Sequence, residues 1–324
     1  MSEVGGLCPN FQPQTFNLQI IVTSAMHVNT RSPPFTKALG LFIIAYRLPT
    51  EVATVASSFE SAVRAPERVI LRHISSFFEF IGEAYFVGSG AIRRIIQGNI
   101  SVSDTVCQMA LIGVNSIPIV LVTTAFSGAV LALYSAQLFV AYGVGNLVGG
   151  GISLSIAREL APVLAAVVVA ARAGSAIAAE IGTMKVTEQI DALRSLGTSP
   201  IQYLVVPRFL ALVIMLPVIT MLGMVIGSFG GYIVAISNGV TSSSYIESTR
   251  VWLDLYDVLM GLLKTVFFGA FIAVVGCQQG LGTTGGAAGV GKSTMNAVVI
   301  SMVLIYISNY FLALFMFGGG SPGF

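Results

Sequence analysis

The sequence predicts an all-α integral membrane protein in which an N-terminal amphipathic helix is followed by about five transmembrane helices. Hydrophobic residues make up 55% of the chain, charged residues only 9%, and the mean hydropathy is +0.87. Soluble domains carry about 25% charged residues, so a globule of this composition could not present a wetted surface. Several long segments also lack any charged residue, and each is long enough to cross a bilayer.

The charge balance and the reactive residues exclude several classes of function. A net charge of +2 gives no basis for nucleic-acid binding. Cys8, Cys107 and Cys277 show neither metal-ligand spacing nor a disulfide pattern, and His27 and His73 are isolated. No Ser–His–Asp arrangement and no carboxylate pair stands at catalytic spacing. We therefore expect no catalytic residues, no metal site and no cofactor, in a protein that is not an enzyme.

Residues 1–65 are the least hydrophobic part of the chain and are predicted to be a weakly ordered N-terminal extension. The apolar run from Leu39 to Tyr46 is far shorter than the ~20 residues that a spanning helix needs. Few acidic residues and several Ser and Thr leave a targeting segment open, with a wrongly assigned start codon as the alternative.

Residues 66–100 have the pattern of an amphipathic helix that lies along a membrane surface. Arginines punctuate the apolar positions and are expected to face lipid headgroups. The alternative is a core-packed helix of a soluble domain, which the membrane segments that follow disfavour. The apolar residues at helical spacing are Val69, Ile70, Ile74, Phe77, Phe78 and Ile81.

Residues 101–324 are expected to form the transmembrane domain. Its first charge-free run, Val106 to Tyr142, exceeds the length of one span and contains Pro118. A kinked helix or a re-entrant pair of short helices therefore fits better than one straight rod. The other four predicted spans are Gly151–Glu180, Phe209–Ile246, Val258–Gly280 and Ala297–Phe317.

The distribution of cations predicts the orientation of these spans. Lys185 and Arg194 lie between spans two and three, Lys292 lies between spans four and five, and several arginines precede span one. The positive-inside tendency places these segments in the cytoplasm. The first helix is then cytoplasmic and the C-terminus lies on the opposite side.

One motif points to a different function. Gly286 to Ser293 matches the P-loop pattern G-x-x-x-x-G-K-[ST] at every fixed position. A working P-loop lies between a buried strand and a helix, whereas membrane spans flank this match on both sides. We interpret it as a tight cytoplasmic turn in which Lys292 anchors at headgroups and Ser293 or Thr294 caps the last helix.

The polar stretch Glu180 to Pro200 is predicted to be a short amphipathic cytoplasmic helix over residues 180–196. On one helix, Met184, Glu188 and Asp191 share a side. Such a helix between two spans suits docking into a groove of a soluble partner, and a solvated loop helix is the alternative. Gly197 and Pro200 are typical stop signals.

The segment "RELAPVLAAVVVAARAGSAIAAEIGTMKVTEQIDALRSLG" closely resembles the signature of the MlaE-type permeases, which are membrane subunits of lipid ABC transporters. The likeness extends over roughly residues 66–317 and includes "PIQYLVVPRFLALVIMLPVI" and "GLLKTVFFGAFIAVVGCQQG". It does not cover the first 60 or so residues. The family pattern places a G-V-G-x-[AS]-T turn where the P-loop match lies.

The resemblance implies a permease subunit that moves phospholipid or a related lipid between membranes. Two permease copies, expected to be identical, would form the membrane core, with a separate cytoplasmic ATPase and an MCE-domain protein on the other side. The membrane would be a bacterial inner membrane or the inner membrane of an organelle envelope. The helix over residues 180–196 would be the ATPase-coupling element, and its candidate contacts are Glu180, Met184, Lys185, Glu188, Gln189 and Asp191.

Three charged residues within spans are candidates for a lipid cavity. Arg158 and Glu159 lie near the outer end of span two, and Lys264 lies about two turns into span four. Ionisable groups at membrane depth usually face an interior or a water-filled cavity, and Arg158 could meet a phosphate there. The alternative is an interfacial charge at a helix end, while Arg172 is interpreted as a snorkelling or packing residue.

Two further alternatives stay open at this point. The small-residue run Ala170 to Gly182 would allow close helix approach, either at a dimer interface or within one subunit. A stand-alone ion-coupled secondary transporter is the alternative function, although it would require buried mid-membrane acids and an internal repeat.

Overall fold

The computed structural model of the protein describes residues 78–98 and 100–317. The predicted extension over residues 1–65 and the beginning of the predicted amphipathic helix lie outside the described residues. Helices make up nearly all of the described part, which contains no strand. The predicted all-α membrane fold is confirmed, because five helical segments are long and apolar enough to cross a bilayer.

Eight helical segments follow one another along the described chain. Helix α1 covers residues 78–96. The five candidate spans are α2 (Val102–Ala141), α3 (Gly145–Val186), α5 (Ile201–Ser237), α7 (Leu255–Leu281) and α8 (Gly286–Phe317). Two short helices, α4 (Gln189–Ser195) and α6 (Ser242–Trp252), connect spans at opposite ends.

Helix α2 is one helical segment whose geometry changes along its length, rather than a re-entrant pair. Its α-helical turns give way to a π-helical turn at Met109–Gly113 and a 3-10 turn at Val114–Ser116. A regular α-helix then runs over Ile117–Ala141, with Pro118 in its first turn. Proline lacks the N–H group and crowds the preceding turn, so it fits at a helix start and disturbs the turn before it.

The predicted single helix over residues 180–196 is wrong. Helix α3 continues to Val186, and α4 begins anew at Gln189. Glu188 separates them with a φ of 61°, a left-handed conformation that ends a helix. Met184 and Asp191 therefore do not share one helical face.

The third span is displaced relative to its prediction. Helix α5 begins at Ile201 and ends at Ser237, so it includes the buried Arg208. The residues after Asn238 turn into α6, where Tyr245 packs into the core and donates to the Ser228 carbonyl at 3.2 Å. Burial raises the pKa of the Tyr245 phenol, with a hydrogen bond to Ser153 acting in the opposite direction.

The last span also begins earlier than predicted. The turn before α8 uses Gly285 and Gly286 at φ of 88° and 67°, values that glycine adopts without steric cost. Ser293 and Thr294 lie inside the helix, so the predicted capping role is wrong. Thr294 instead donates its hydroxyl to the Val290 carbonyl at 2.6 Å.

Helix α5 forms the centre of the bundle and packs against both α2 and α7. Glycines bring α2 and α5 into backbone contact, since a Cβ atom on Gly128 would collide with the Gly227 carbonyl. The small-residue run behaves similarly within the chain: a Cβ on Gly276 of α7 would lie 3.2 Å from the Gly174 carbonyl. Intramolecular packing, one of the two alternatives for this run, is thus observed.

Helix α8 lies at the outside of the bundle. Only 11% of the most apolar 18-residue stretch of α8 is buried, whereas 50% of the corresponding stretch of α3 is buried. Large apolar side chains such as Tyr306, Phe311 and Phe315 are exposed along it. This surface is apolar enough to lie in hydrocarbon.

Candidate functional site

A cluster of charged side chains joins α3, α7 and α8. The Lys264 amine of α7 donates to Glu159 Oε1 at 2.7 Å, to the Arg158 carbonyl at 3.0 Å and to Asn309 Oδ1 at 3.4 Å. The Asn309 amide of α8 donates to the second Glu159 oxygen at 2.8 Å. Three spans therefore meet at one carboxylate, and all three N–H groups of Lys264 have acceptors.

Arg158 extends the cluster towards the start of α7. Its Nε and Nη2 atoms each lie 2.8 Å from Asp257 Oδ1. The other Asp257 oxygen accepts the backbone N–H of Asp254 at 3.3 Å, within the capping box that starts α7. Asp257 thus caps the first turn of α7 and also fixes the Arg158 guanidinium.

The Phe317 ring, at the end of α8, lies against the two cations of the cluster. The Arg158 guanidinium carbon lies 4.7 Å from the ring centroid, and the Lys264 amine lies 5.1 Å from it. Cations at such distances are attracted by the negative face of an aromatic ring. A single side chain of α8 therefore contacts cations contributed by α3 and α7.

A local irregularity in α3 presents the two adjacent charges to this cluster. Ile156–Leu160 forms a π-helical turn immediately before Pro162, which occupies the first turn of the next α-helical stretch. The proline disturbs the preceding turn, and π turns often mark functional sites. Arg158 and Glu159 both lie in this turn and bind different partners.

Exposure divides the four charged members of the cluster into two pairs. The Lys264 side chain is 0% exposed and Asp257 is 4% exposed, whereas Arg158 and Glu159 are 29% and 41% exposed. Two cations and two carboxylates balance, as buried charges require. Arg158 and Glu159 present polar atoms at the surface, and the buried partners hold them in place.

The sequence-predicted candidates Arg158, Glu159 and Lys264 are brought together by the structure. Lys264, however, has no exposed surface here, and its contacts are to protein. Sequence reasoning missed Asp257, Asn309 and Phe317. The spacing of Asp254 and Asp257, which is typical of a helix cap, was a usable signal for Asp257. Asn309 and Phe317 gave no such signal, because each is a single residue in a charge-free span.

The coupling candidates lie at the opposite end of the spans and divide between two helices. Glu180, Met184 and Lys185 belong to α3, Glu188 lies in the turn, and Gln189 and Asp191 begin α4. Lys185 reaches Asp191 at 3.2 Å, which ties the two helices together. Glu188, Gln189 and Asp191 are exposed, whereas Met184 packs against the core.

Arg208 is a buried cation near these residues that sequence reasoning missed. Its Nη2 donates to Glu180 Oε2 at 2.9 Å and its Nη1 to the Leu204 carbonyl at 2.8 Å. This ion pair links α3 to α5. Arg172 has a partner too, since it donates to the Ser116 hydroxyl of α2 at 3.1 Å.

The P-loop match does not form a phosphate cradle. Gly286 to Ser293 are the first turns of α8, and α7 ends at Leu281 just before them. A P-loop requires a strand ahead of its glycines and a loop that wraps the phosphates. Here both flanking elements are candidate membrane spans, as the sequence predicted.

Comparison with known proteins assigns the chain to a family. The family described as permease MlaE matches residues 105–315. A probable ABC transporter permease protein of Synechocystis is 46% identical over 250 residues, which cover 76% of this chain and 95% of the relative. A probable ABC transporter permease protein of Rickettsia typhi is 44% identical over 247 residues, covering 76% and 95%. The chloroplastic protein trigalactosyldiacylglycerol 1 of Arabidopsis thaliana is 37% identical over 234 residues, covering 72% and 67%. This chain therefore belongs to the MlaE family of ABC transporter permeases.

Proposed function

We propose that this permease moves phospholipid or a related lipid between membranes, with ATP hydrolysed by a separate subunit. The observation that carries the proposal is the Arg158–Glu159 pair, which is partly exposed in the first half of the candidate span α3. A lipid needs an apolar wall for its chains and a few polar groups for its head. Exposed apolar spans and this polar pair together supply both.

The comparison with relatives supports a lipid as the substrate class. The Arabidopsis relative carries the name of a glycolipid, trigalactosyldiacylglycerol. The guanidinium of Arg158 has the fork geometry that binds phosphate oxygens. Asp257 pairs with Arg158 and Lys264 pairs with Glu159, so the cluster is neutral and would suit a headgroup that carries its own cation as well as a phosphate.

The proposed partners follow from the two ends of the spans. A cytoplasmic ABC ATPase would bind the exposed α4 and the turn at Glu188. A second permease copy, forming a homodimer, would cover part of the exposed apolar surface, and an MCE-domain protein would bind at the end that carries Arg158. The host membrane would be a bacterial inner membrane or an organelle envelope inner membrane.

Affinity purification of the chain in mild detergent tests the proposal directly. Mass spectrometry of the eluate is expected to identify an ABC ATPase, an MCE-domain protein and bound glycerolipid. Proton- or sodium-dependent uptake by the isolated chain in liposomes would contradict the proposal and support the ion-coupled alternative.

Reversing the charges of the coupling turn is expected to release the ATPase. In the Glu188→Arg/Asp191→Arg variant, the exposed carboxylates at the start of α4 become cations, and Lys185 and Arg194 lose their partner. Like charges across an interface cost several kcal/mol, so ATPase recovery should fall at least tenfold. Glu247→Arg in α6 is the matched control, since it reverses an exposed carboxylate at the opposite end. Equal ATPase recovery from the double variant and the control would refute the docking assignment.

Substitutions in the P-loop match are expected to leave ATP hydrolysis unchanged. Gly291→Ala and Lys292→Ala would each abolish a working P-loop, because they crowd the backbone cradle or remove the phosphate-binding lysine. Here Gly291 lies in a helix, and a methyl group on its Cα would point into open space. ATP turnover of the purified complex measures this, and turnover that disappears with Lys292→Ala would place hydrolysis in this chain.

A further inference from the structure

Two cavities flank Arg94 at the end of α1. One has a volume of about 640 Å³ and is lined by Arg94, Ser199 and Gln202, among others. The second has a volume of about 730 Å³ and is lined by Arg93, Arg94 and Ser199, among others. Together they form one groove, the α1–α5 groove, between the C-terminal turn of α1 and the first turn of α5.

Two arginines, Arg93 and Arg94, contribute the charged side chains among the described residues that line the groove. Among the described residues, no aspartate or glutamate lines either cavity. Arg94 donates one Nη1 hydrogen bond to Gln202 Oε1 at 2.9 Å, and its other N–H groups have no partner in the described part of the chain. Arg93 has no ion pair or hydrogen bond there. The adjacent carboxylate, Asp104, accepts the Ser101 hydroxyl at 2.5 Å.

Backbone and hydroxyl donors add to the two guanidinium groups. The Ser199 carbonyl accepts the Tyr203 N–H at 3.2 Å, so Ser199 stands at the beginning of α5. The first N–H groups of a helix have no partner within it and favour an anion. Ser199 lines both cavities and lies next to the start of α5.

The walls of the groove indicate which anion would occupy it. Phe86 and Ile201 line the second cavity, and Ile100 and Tyr203 line the first. Phe86 is 69% exposed and Tyr203 is 52% exposed. A free phosphate would leave these apolar surfaces in water, whereas the chains of a lipid would cover them.

We propose that the α1–α5 groove binds the phosphate headgroup of an anionic phospholipid from the leaflet next to α1. The phosphate accepts hydrogen bonds from Arg93, Arg94 and Ser199, and the acyl chains run along Phe86 and Ile201. This site is separate from the Arg158 cluster, which lies at the other end of the spans. The bound lipid contacts both α1 and the segment that follows α4.

Lipid titration of the full-length chain with its co-purified partners tests this site. The protein in detergent is titrated with phosphatidylglycerol or with phosphatidylcholine of identical acyl chains, and bound lipid is counted by native mass spectrometry. Each arginine–phosphate contact is a charge-assisted hydrogen bond, so Arg93→Gln/Arg94→Gln should weaken phosphatidylglycerol binding about tenfold or more. Arg250→Gln, which removes an exposed cation from α6, should leave binding unchanged.

The single variant Arg93→Gln is the control for misfolding, because it removes no contact within the described residues. It is expected to weaken phosphatidylglycerol binding by a smaller factor with the helical fold intact. Equal binding of phosphatidylglycerol to the native chain and the double variant would overturn the proposal. Equal affinity for phosphatidylcholine, or complete displacement by millimolar inorganic phosphate, would overturn the assignment of an anionic lipid. The measurement does not use transport, so it is independent of whether the proposed function holds.

Discussion

Lys264→Met is expected to destabilise the protein strongly and to abolish transport. The Lys264 amine is fully enclosed and donates to Glu159, the Arg158 carbonyl and Asn309. Methionine keeps the apolar length of the side chain but removes every one of these bonds. Removing one partner of a buried ion pair costs about 3–5 kcal/mol, and the partial exposure of Glu159 places the expected loss near the lower limit. Thermal unfolding of the detergent-solubilised protein measures it.

A second variant separates the loss of charge balance from the loss of packing. Lys264→Met/Glu159→Gln leaves no unpaired charge at this point, and glutamine can still accept a hydrogen bond from Asn309. We expect the double variant to recover at least half of the stability that Lys264→Met loses. Transport should stay absent in the double variant, because it lacks the Glu159 carboxylate that is proposed to contact the headgroup. Equal unfolding midpoints for Lys264→Met and the native chain would show that the cluster contributes no stability.

The number and order of the spans could be predicted from the sequence because apolar segments lie in hydrocarbon and polar segments lie in water. Runs such as Val106 to Tyr142 contain no charge and coincide closely with observed spans. The same rule misplaced the start of α5, since Arg208 looked like a boundary. In the structure Arg208 is buried and pairs with Glu180, which belongs to a different span. The sequence around Arg208 does not indicate that pairing.

Three charged residues of the candidate site could be predicted from the sequence, but their partners and their arrangement could not. Charges within spans are costly, so Arg158, Glu159 and Lys264 stood out individually. Their pairing depends on the π turn in α3 and on how α3, α7 and α8 pack, which are tertiary features. The break at Glu188 was missed for a related reason, because glutamate at a φ of 61° is uncommon and its residue type gave no signal.

The two ends of α3 connect its partners in different ways. At the Arg158 end, buried ion pairs and hydrogen bonds attach α3 to α7 and α8. At the other end, Glu180 attaches it to α5, and Lys185 attaches it to α4. Helix α3 is therefore the element that contacts both the proposed lipid headgroup and the proposed ATPase-binding turn. Tilting of this one helix would move both ends together.

Gly128→Ala is expected to disrupt the packing of α2 on α5, where the two backbones are in contact. A methyl group at Gly128 would overlap the Gly227 carbonyl oxygen, which belongs to the backbone and cannot rotate away. Overpacking of this kind costs about 1–3 kcal/mol, and rigid backbone on both sides places the expected loss at the upper limit. Gly291→Ala is the matched control, because it makes the same substitution inside a helix with open space around the new methyl group. Alanine favours a helix over glycine by about 1 kcal/mol, so the control should be neutral or slightly more stable. Unfolding midpoints measured in the same detergent test the pair, and a Gly128→Ala protein as stable as Gly291→Ala would mean that α2 and α5 do not approach as closely as the structure places them.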